Sequence, residues 1–323
     1  MSRLIRNTAI LAKTEPVYGV DAVPTGAANA MLVSNLSINP LNAQNVERNN
    51  IRPYLGGDEQ LVGSRYVEMG FDVELVGAGT LGAVPAWGTL LRACGFAEVV
   101  TAGVRVDYVP VSTGFESATI YWYDDGVIHK GLGARGTASL KLTVGEKPVI
   151  SCKFVCLNGG VAVAAAPTTE LEDWQIPEIV LDANSGNLIW GATHATATAP
   201  ALVGGDFYPS QGLTIELGIS TPFQPLLGGE SVPITERKVT GAVQLDLTAA
   251  QEVAAMAAVL ATAKTSLGMV HGTVAGSRVC VFMPGVQRIE PTKEDLNGAR
   301  MCGYKLLINP VAGNDEIRIV TSF

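Results

Sequence analysis

Charge is scarce in this chain of 323 residues: 16% are Asp, Glu, Lys or Arg, and the formal net charge is −8. A protein that grips nucleic acid by neutralising phosphates needs a cationic surface, so that class is excluded. A surface past which nucleic acid slides without sticking stays compatible, because like charges repel. Aromatics make up only 6%, which argues against a β-sandwich binding module that displays aromatic patches. The three histidines, His129, His194 and His271, are far apart and lack HxH or HExxH spacing. No histidine metal centre is readable, and no GxSxG elbow marks a hydrolase. Five cysteines (94, 152, 156, 280 and 302) form no framework spacing, so reduced, buried thiols from a cytoplasmic fold are expected. Cys152 and Cys156 share a strand face, but four residues along a strand is about 13 Å, too far for one metal. No apolar run reaches about 18 residues, so no membrane-spanning helix is expected. Arg6-Asn7-Thr8 and Lys13 interrupt the first apolar residues, so no secretory signal is expected either.

What is abundant is apolar surface. Hydrophobic residues reach 47%, high for a soluble monomer of this length, and the excess implies burial against partners. The second feature is an internal repeat. Sliding the sequence by 172 positions lays 53–75 on 225–247, PLLGGESVPITERKVTGAVQLDL, without a gap. Seven of the 23 positions are identical: Pro53/Pro225, Leu55/Leu227, Gly56/Gly228, Gly57/Gly229, Arg65/Arg237, Val67/Val239 and Leu75/Leu247. Average usage gives roughly one or two. A polar Gly-Gly loop feeding an alternating strand therefore occurs twice.

In chain order, 1–26 reads as an extended N-terminal arm, broken by Pro16, Gly19, Pro24 and Gly26. A strand is expected over 31–38, then a long polar excursion over 39–64 carrying Arg48, Arg52, Asp58, Glu59 and Arg65. Its shorter twin, 220–235, carries Glu230 and leads into Glu236 and Arg237. In 70–76, Phe71, Val73 and Leu75 alternate with Asp72 and Glu74; the twin alternates Val243, Leu245 and Leu247 with Gln244 and Asp246. That period predicts a sheet with one dry face and one acidic wet face. One helix follows in each copy. Trp87, Leu90, Leu91 and Cys94 make the first stripe, and Val253, Met256, Ala257 and Leu260 the second, started by a Thr248/Gln251 capping box. Both stripes read as helix-on-sheet core. Strands are expected at 117–123, 127–130, 137–144, 149–157, 301–308 and 316–320. The segment 159–204 reads as a linker with short strands around Ile179 and Leu188, leaving one β unit at 27–158 and another at 205–323.

Gly131-Leu132-Gly133-Ala134-Arg135-Gly136 matches GxGxxG, but a hairpin precedes it and an alternating strand follows. The dinucleotide fingerprint needs a strand before and a helix after, so the match reads as a Gly-rich turn and no cofactor is expected.

Several segments in order carry a resemblance. They are 12–25 (AKTEPVYGVDAVPT), 52–56 (RPYLG), 90–96 (LLRACGF), 125–130 (DGVIHK) with 133–136 (GARG), and 312–316 (AGNDE). Together they resemble siphophage tail tube (major tail) proteins, nearest those of long flexible-tailed phages such as infect Pseudomonas. The resemblance implies a mainly β fold, two tandem β-sandwich or half-barrel tube domains each with a flanking helix. It implies a structural virion protein, not an enzyme, made in the host cytoplasm and stacked as rings into a tail tube for DNA delivery. Six tube domains form the usual ring, so two per chain would give a pseudo-hexameric trimer closed by a heterologous interface. Arg48, Arg52, Asp58, Glu59, Arg65, Glu230 and Arg237 would then make ring-stacking contacts. Asp72, Glu74, Gln244 and Asp246 would line the lumen, around tape measure protein and DNA bound without sequence readout. Tail terminator and distal tail proteins would meet the tube ends. A pyocin-like or secretion-type tube has the same chemistry; an enzyme with scattered site residues, or a β-sandwich binding module, would instead show a discrete pocket or a stable monomer.

Overall fold

The computed structural model describes residues 3–195 and 201–323; residues 196–200 of the expected linker and 1–2 of the arm lie outside them. The chain is mainly β. Its main strands in order are β1 (Thr8–Thr14), β2 (Val33–Glu47), β3 (Gln60–Glu74), β4 (Phe96–Thr101), β5 (Arg105–Pro110), β6 (Ala118–Asp124), β7 (Val127–Thr143) and β8 (Val149–Val163). Then come β9 (Leu188–Trp190), β10 (Ser210–Glu216), β11 (Thr240–Leu245), β12 (Lys264–His271), β13 (Val279–Leu296), β14 (Ala299–Ile308) and β15 (Arg318–Thr321). Helix α1 (Gly88–Ala93) lies between β3 and β4, and α2 (Ala249–Leu260) between β11 and β12.

Two antiparallel arrays share one order. In the first half β1 pairs β6, then follow β7, β8, β3 and β2. In the second half β9 pairs β12, then follow β13, β14, β11 and β10. Each half thus starts with a strand from outside its expected unit, β1 from the arm and β9 from the linker, where a short strand around Leu188 is expected. Residues 8–14 of the expected arm form β1, with Ile10, Leu11 and Ala12 at most 2% exposed. The expected linker supplies β9, all three residues buried. Scattered apolar residues give the arm little periodicity, so it does not announce β1; in the linker the strand expected around Ile179 does not form.

The halves are joined through β7. One edge of β7 takes β8. The other takes β6 along residues 127–134 and then β10 along residues 139–143. Register shifts between Ala118/Ile120 on β6 and Leu132/Arg135 on β7 mark the change of partner, as bulges do when a strand bends. The Gly131–Gly136 stretch is therefore a bulged strand, not a turn. A Cβ on Gly136 would stand 2.1 Å from the Lys153 carbonyl oxygen, and Gly133 has φ +57°, so close approach and a left-handed backbone explain the glycines.

A single hydrophobic cluster spans both halves, including Phe71, Leu140 and Phe154 from the first and Ile215, Val243 and Leu306 from the second. The expected alternation holds: Phe71, Val73 and Leu75 are buried, as are Val243 and Leu245. All five cysteines are free and buried. Among the described residues no helix is long and apolar enough to cross a membrane.

These two helices, the longest of three among the described residues, differ. Around α1, Trp87, Leu90, Leu91 and Cys94 are at most 1% exposed. Tyr108 of the β4–β5 hairpin packs on Trp87 with ring centroids 5.2 Å apart. Helix α2 has the expected capping box, but its expected core stripe is a correction: Val253 is 71% and Leu260 80% exposed, and Ala255 is its one buried residue. The second half runs from α2 directly into β12, with no counterpart of the β4–β5 hairpin to cover the helix.

Candidate functional site

The sheet carries one continuous wet face through both halves. Register puts Glu74, Val149, Lys141, Thr214, Ala242 and Lys305 in a single row across β3, β8, β7, β10, β11 and β14. Side chains directly opposite one another in a ladder point to the same face. Asp72 stands in the next row with Ser151, Ser139 and Glu216. Gln244 lies opposite Gly303 and donates to Glu294; Asp246, just past β11, is exposed. The face is less acidic than its two alternating segments suggest, because Lys141, Lys153 and Lys305 stand among Glu68, Asp72, Glu74 and Glu216. Lys147 also donates to Glu74 at 2.8 Å. The lysines come from strands whose polar faces become neighbours of Asp72 only through the pairing.

The long polar excursion is a projecting hairpin. Most of 39–64 is strand, paired from Asn39↔Glu68 to Glu47↔Gln60 with two shifts of register on the way. The partner strand β8 stops at Tyr66↔Leu157, so beyond that point the two strands have only each other. No residue from 39 to 66 is buried. A lone two-stranded ribbon is marginal in water. Yet this one displays Leu41, Val46, Ile51, Tyr54, Leu55, Leu61 and Val62, each at least 49% exposed. Its charges serve the tip itself: Arg48 pairs with Glu59, and Arg52 with Asp58, while the Asn50 amide donates to Asp58 at 2.8 Å.

The twin hairpin is docked instead. Residues 217–239 of the second half lie across the first half. The Leu217 amide donates to the Ala138 carbonyl, and the Ile219 amide to the Thr137 hydroxyl. Phe223 stacks on Tyr66 at 4.8 Å. The Val232 amide donates to the Tyr18 hydroxyl at 2.6 Å, and its carbonyl accepts from Arg135 at 3.1 Å. Arg135 also donates to the Phe115 and Glu116 carbonyls and lies over the Tyr18 ring at 4.5 Å. Burial pushes the Tyr18 phenol up and the Arg135 guanidinium down from their ordinary values. Buried Glu15 ties the knot by accepting from the Gly133 and Gly19 amides and from Ser117 and Thr119.

Among the candidate stacking residues, Arg237 is the one this dock absorbs. Its side chain is 12% exposed; it pairs with buried Glu316 and donates to the Val111 carbonyl at 2.7 Å. Arg65, at the same repeat position, is exposed on the projecting hairpin, as is Glu230 on the small tip 224–231. Both tips raise a fully exposed leucine, Leu55 and Leu227. The residues that hold the halves together, Glu15, Tyr18 and Arg135, were not singled out as site residues in the sequence. They lie in two of the stretches that carry the family resemblance, and Arg135 is the cation inside GARG.

Two long strand edges are among those left open in the described residues. β2 pairs only with β3. On β13, the edge that β12 occupies up to Gln287 takes no strand over 288–296. Unpaired edges of this length template further pairing. Among the described residues no group of three His, Cys, Asp or Glu could hold a metal.

Open strand edges and an apolar projecting hairpin are surfaces suited to self-association. The family comparison gives the same answer: the phage tail tube protein family matches residues 5–299. The chain belongs to that family and is a structural component of the virion's tail tube. No curated protein matches it.

Proposed function

We propose that three copies of this chain close a ring, each contributing two pseudo-equivalent tube units, and that rings stack into a channel through which DNA leaves the virion. One observation carries the reading: the β7–β10 junction inside the chain has an unfilled counterpart at each end. β13 stands in the second half where β7 stands in the first, and its open stretch 288–296 corresponds to the part of β7 that receives β10. β2 stands where β10 stands. Adding β2 of one chain to β13 of the next repeats the internal junction head to tail, a heterologous contact that closes only as a ring. The tube units then begin with β1 and β9, so the second takes its first strand from within 159–204.

In that ring the wet face carrying Asp72, Glu74 and Gln244 lines the lumen. Its interleaved lysines make it mixed with an acidic excess, a wall that neither grips nor strongly expels a phosphate backbone. Tape measure protein and DNA occupy the lumen without sequence readout, and terminator and distal tail proteins cap the ends. Negative-stain electron microscopy with mass measurement of the assembled particle tests the reading. Rings of three chains with six density lobes are expected. Six chains per ring would sink the pseudo-sixfold arrangement while leaving the tube.

A further inference from the structure

We propose that the bare face of α2 is the socket for the projecting hairpin of the neighbouring chain, with Val62 seated at the helix C-terminus. This rests on the ring reading but makes a separate claim about which surfaces meet. The template lies within the chain. Ile234 of the docked twin hairpin packs at the C-terminal end of α1, where a Cβ on Gly95 would stand 3.1 Å from its Cδ1. Gly95 is the left-handed residue that follows the α1 cap, φ +76°. Thr262, φ +52°, is the corresponding residue after α2.

Val62 is the repeat counterpart of Ile234, 172 positions earlier. Ile234 is half-buried against the core, whereas Val62 is 59% exposed. The helix that corresponds to its target is equally uncovered. Ala250, Val253, Ala254, Ala257 and Leu260 are all exposed and fall at helical spacing on one face. None is charged or polar, so the face inverts the pattern of a surface helix, and its alanines let a strand approach closely. The charges of the helix point elsewhere: Glu252 is held by Lys293. A second copy of this chain is thus the occupant that the internal contact specifies. The exposed Leu61 and Val62 and the exposed Val253 and Leu260 cover one another across the β2–β13 junction.

The test uses the full chain with Val62→Cys and Leu260→Cys, the native cysteines being buried. Assembled tubes are treated with a short bismaleimide and run on a denaturing gel. Cross-linked dimers and trimers with nothing larger are expected, and co-assembled single-cysteine chains should stop at dimers. Three-chain rings that yield no cross-link would overturn the socket and spare the ring. Products beyond three would overturn it too, by placing the contact between rings. If the parent protein forms no three-chain ring, both readings fall. A second variant, Val253→Asp with Leu260→Asp, should keep its circular dichroism spectrum and melting while its assembled fraction drops about tenfold or more. Assembly at the parent level would also overturn the proposal.

Discussion

Helix α1 and helix α2 occupy the same place in two arrays of the same strand order, yet one is enclosed and the other bare. Leu90 and Leu91 of α1 are fully buried, while Val253 and Leu260 of α2 are mostly exposed. The hairpins differ in the complementary sense: the one in the second half is docked through Val232 and Arg237, and the one in the first half projects. A chain built from two like units has one junction inside it and two loose ends. The residues at the internal junction are core and those at the ends are open, although both fall at the same positions of a repeat. Pro53-x-Leu-Gly-Gly and Pro225-x-Leu-Gly-Gly differ little in sequence; one tops a projecting hairpin and the other a docked one.

The largest effect is expected from removing the projecting hairpin. Asn42 and Tyr66 are register partners, so replacing 43–65 with an Asn-Gly turn leaves a closed hairpin. No buried residue is lost, so the subunit should melt within a few degrees of the parent while tubes vanish in electron micrographs. Tubes of normal length from that variant would break the claimed equivalence of the two hairpins. The sharpest comparison is Arg65→Ala against Arg237→Ala. Removing Arg237 leaves Glu316, 6% exposed, without its cation, and should cost about 3–5 kcal/mol in denaturant titrations. Removing exposed Arg65 should change monomer stability by no more than about 0.5 kcal/mol yet weaken assembly measured by light scattering. Equal losses of monomer stability would show that the first-half hairpin is docked in its own chain.

A smaller effect is expected in the lumen. Asp72→Lys with Glu74→Lys turns a mixed face net basic, so rings should form and DNA ejection, followed by dye release from filled particles, should slow. Unchanged ejection would remove the electrostatic role of this face.

How much of this could be read in the sequence depended on periodicity. The strands around Phe71 and Val243 and the capping box at Thr248 declare themselves, because alternation and capping are local. The repeat was visible for the same reason: its identities fall on turns and on one face of a strand. β1 was not legible, since Ile10-Leu11-Ala12 is a short apolar run that becomes a strand only against β6; a short strand around Leu188 was expected, but not its pairing with β12. The α2 stripe was misread because helical spacing shows that one face is apolar and cannot show what covers it. Lys141 and Lys153 enter the wet face only through long-range register, and so does the lock of Glu15, Tyr18 and Arg135.

The smallest effect concerns the boundary of the second half. His271 is 3% exposed; its Nδ1 lies 2.8 Å from the Ser185 hydroxyl and its Nε2 3.0 Å from the Glu178 carbonyl. A neutral ring that donates from Nε2 and accepts at Nδ1 satisfies both. Burial pushes this imidazole below its ordinary value of 6.5, partly offset by Glu178, and burial also lowers His129 and His194. The unfolded chain then binds more protons than the folded one between the lowered native value and 6.5. Stability is therefore flat above that window, falls as pH drops through it, and stops falling below the native value. His271→Gln keeps a donor and an acceptor but cannot titrate, so its melting temperature should fall less steeply between pH 7 and 5 than the parent's. Because both partners of His271 lie in 178–185, the loss should appear first as faster proteolysis of that segment, if it belongs to the second half. A segment cut equally fast at both pH values in parent and variant would make 164–187 a linker and leave it outside the second tube unit.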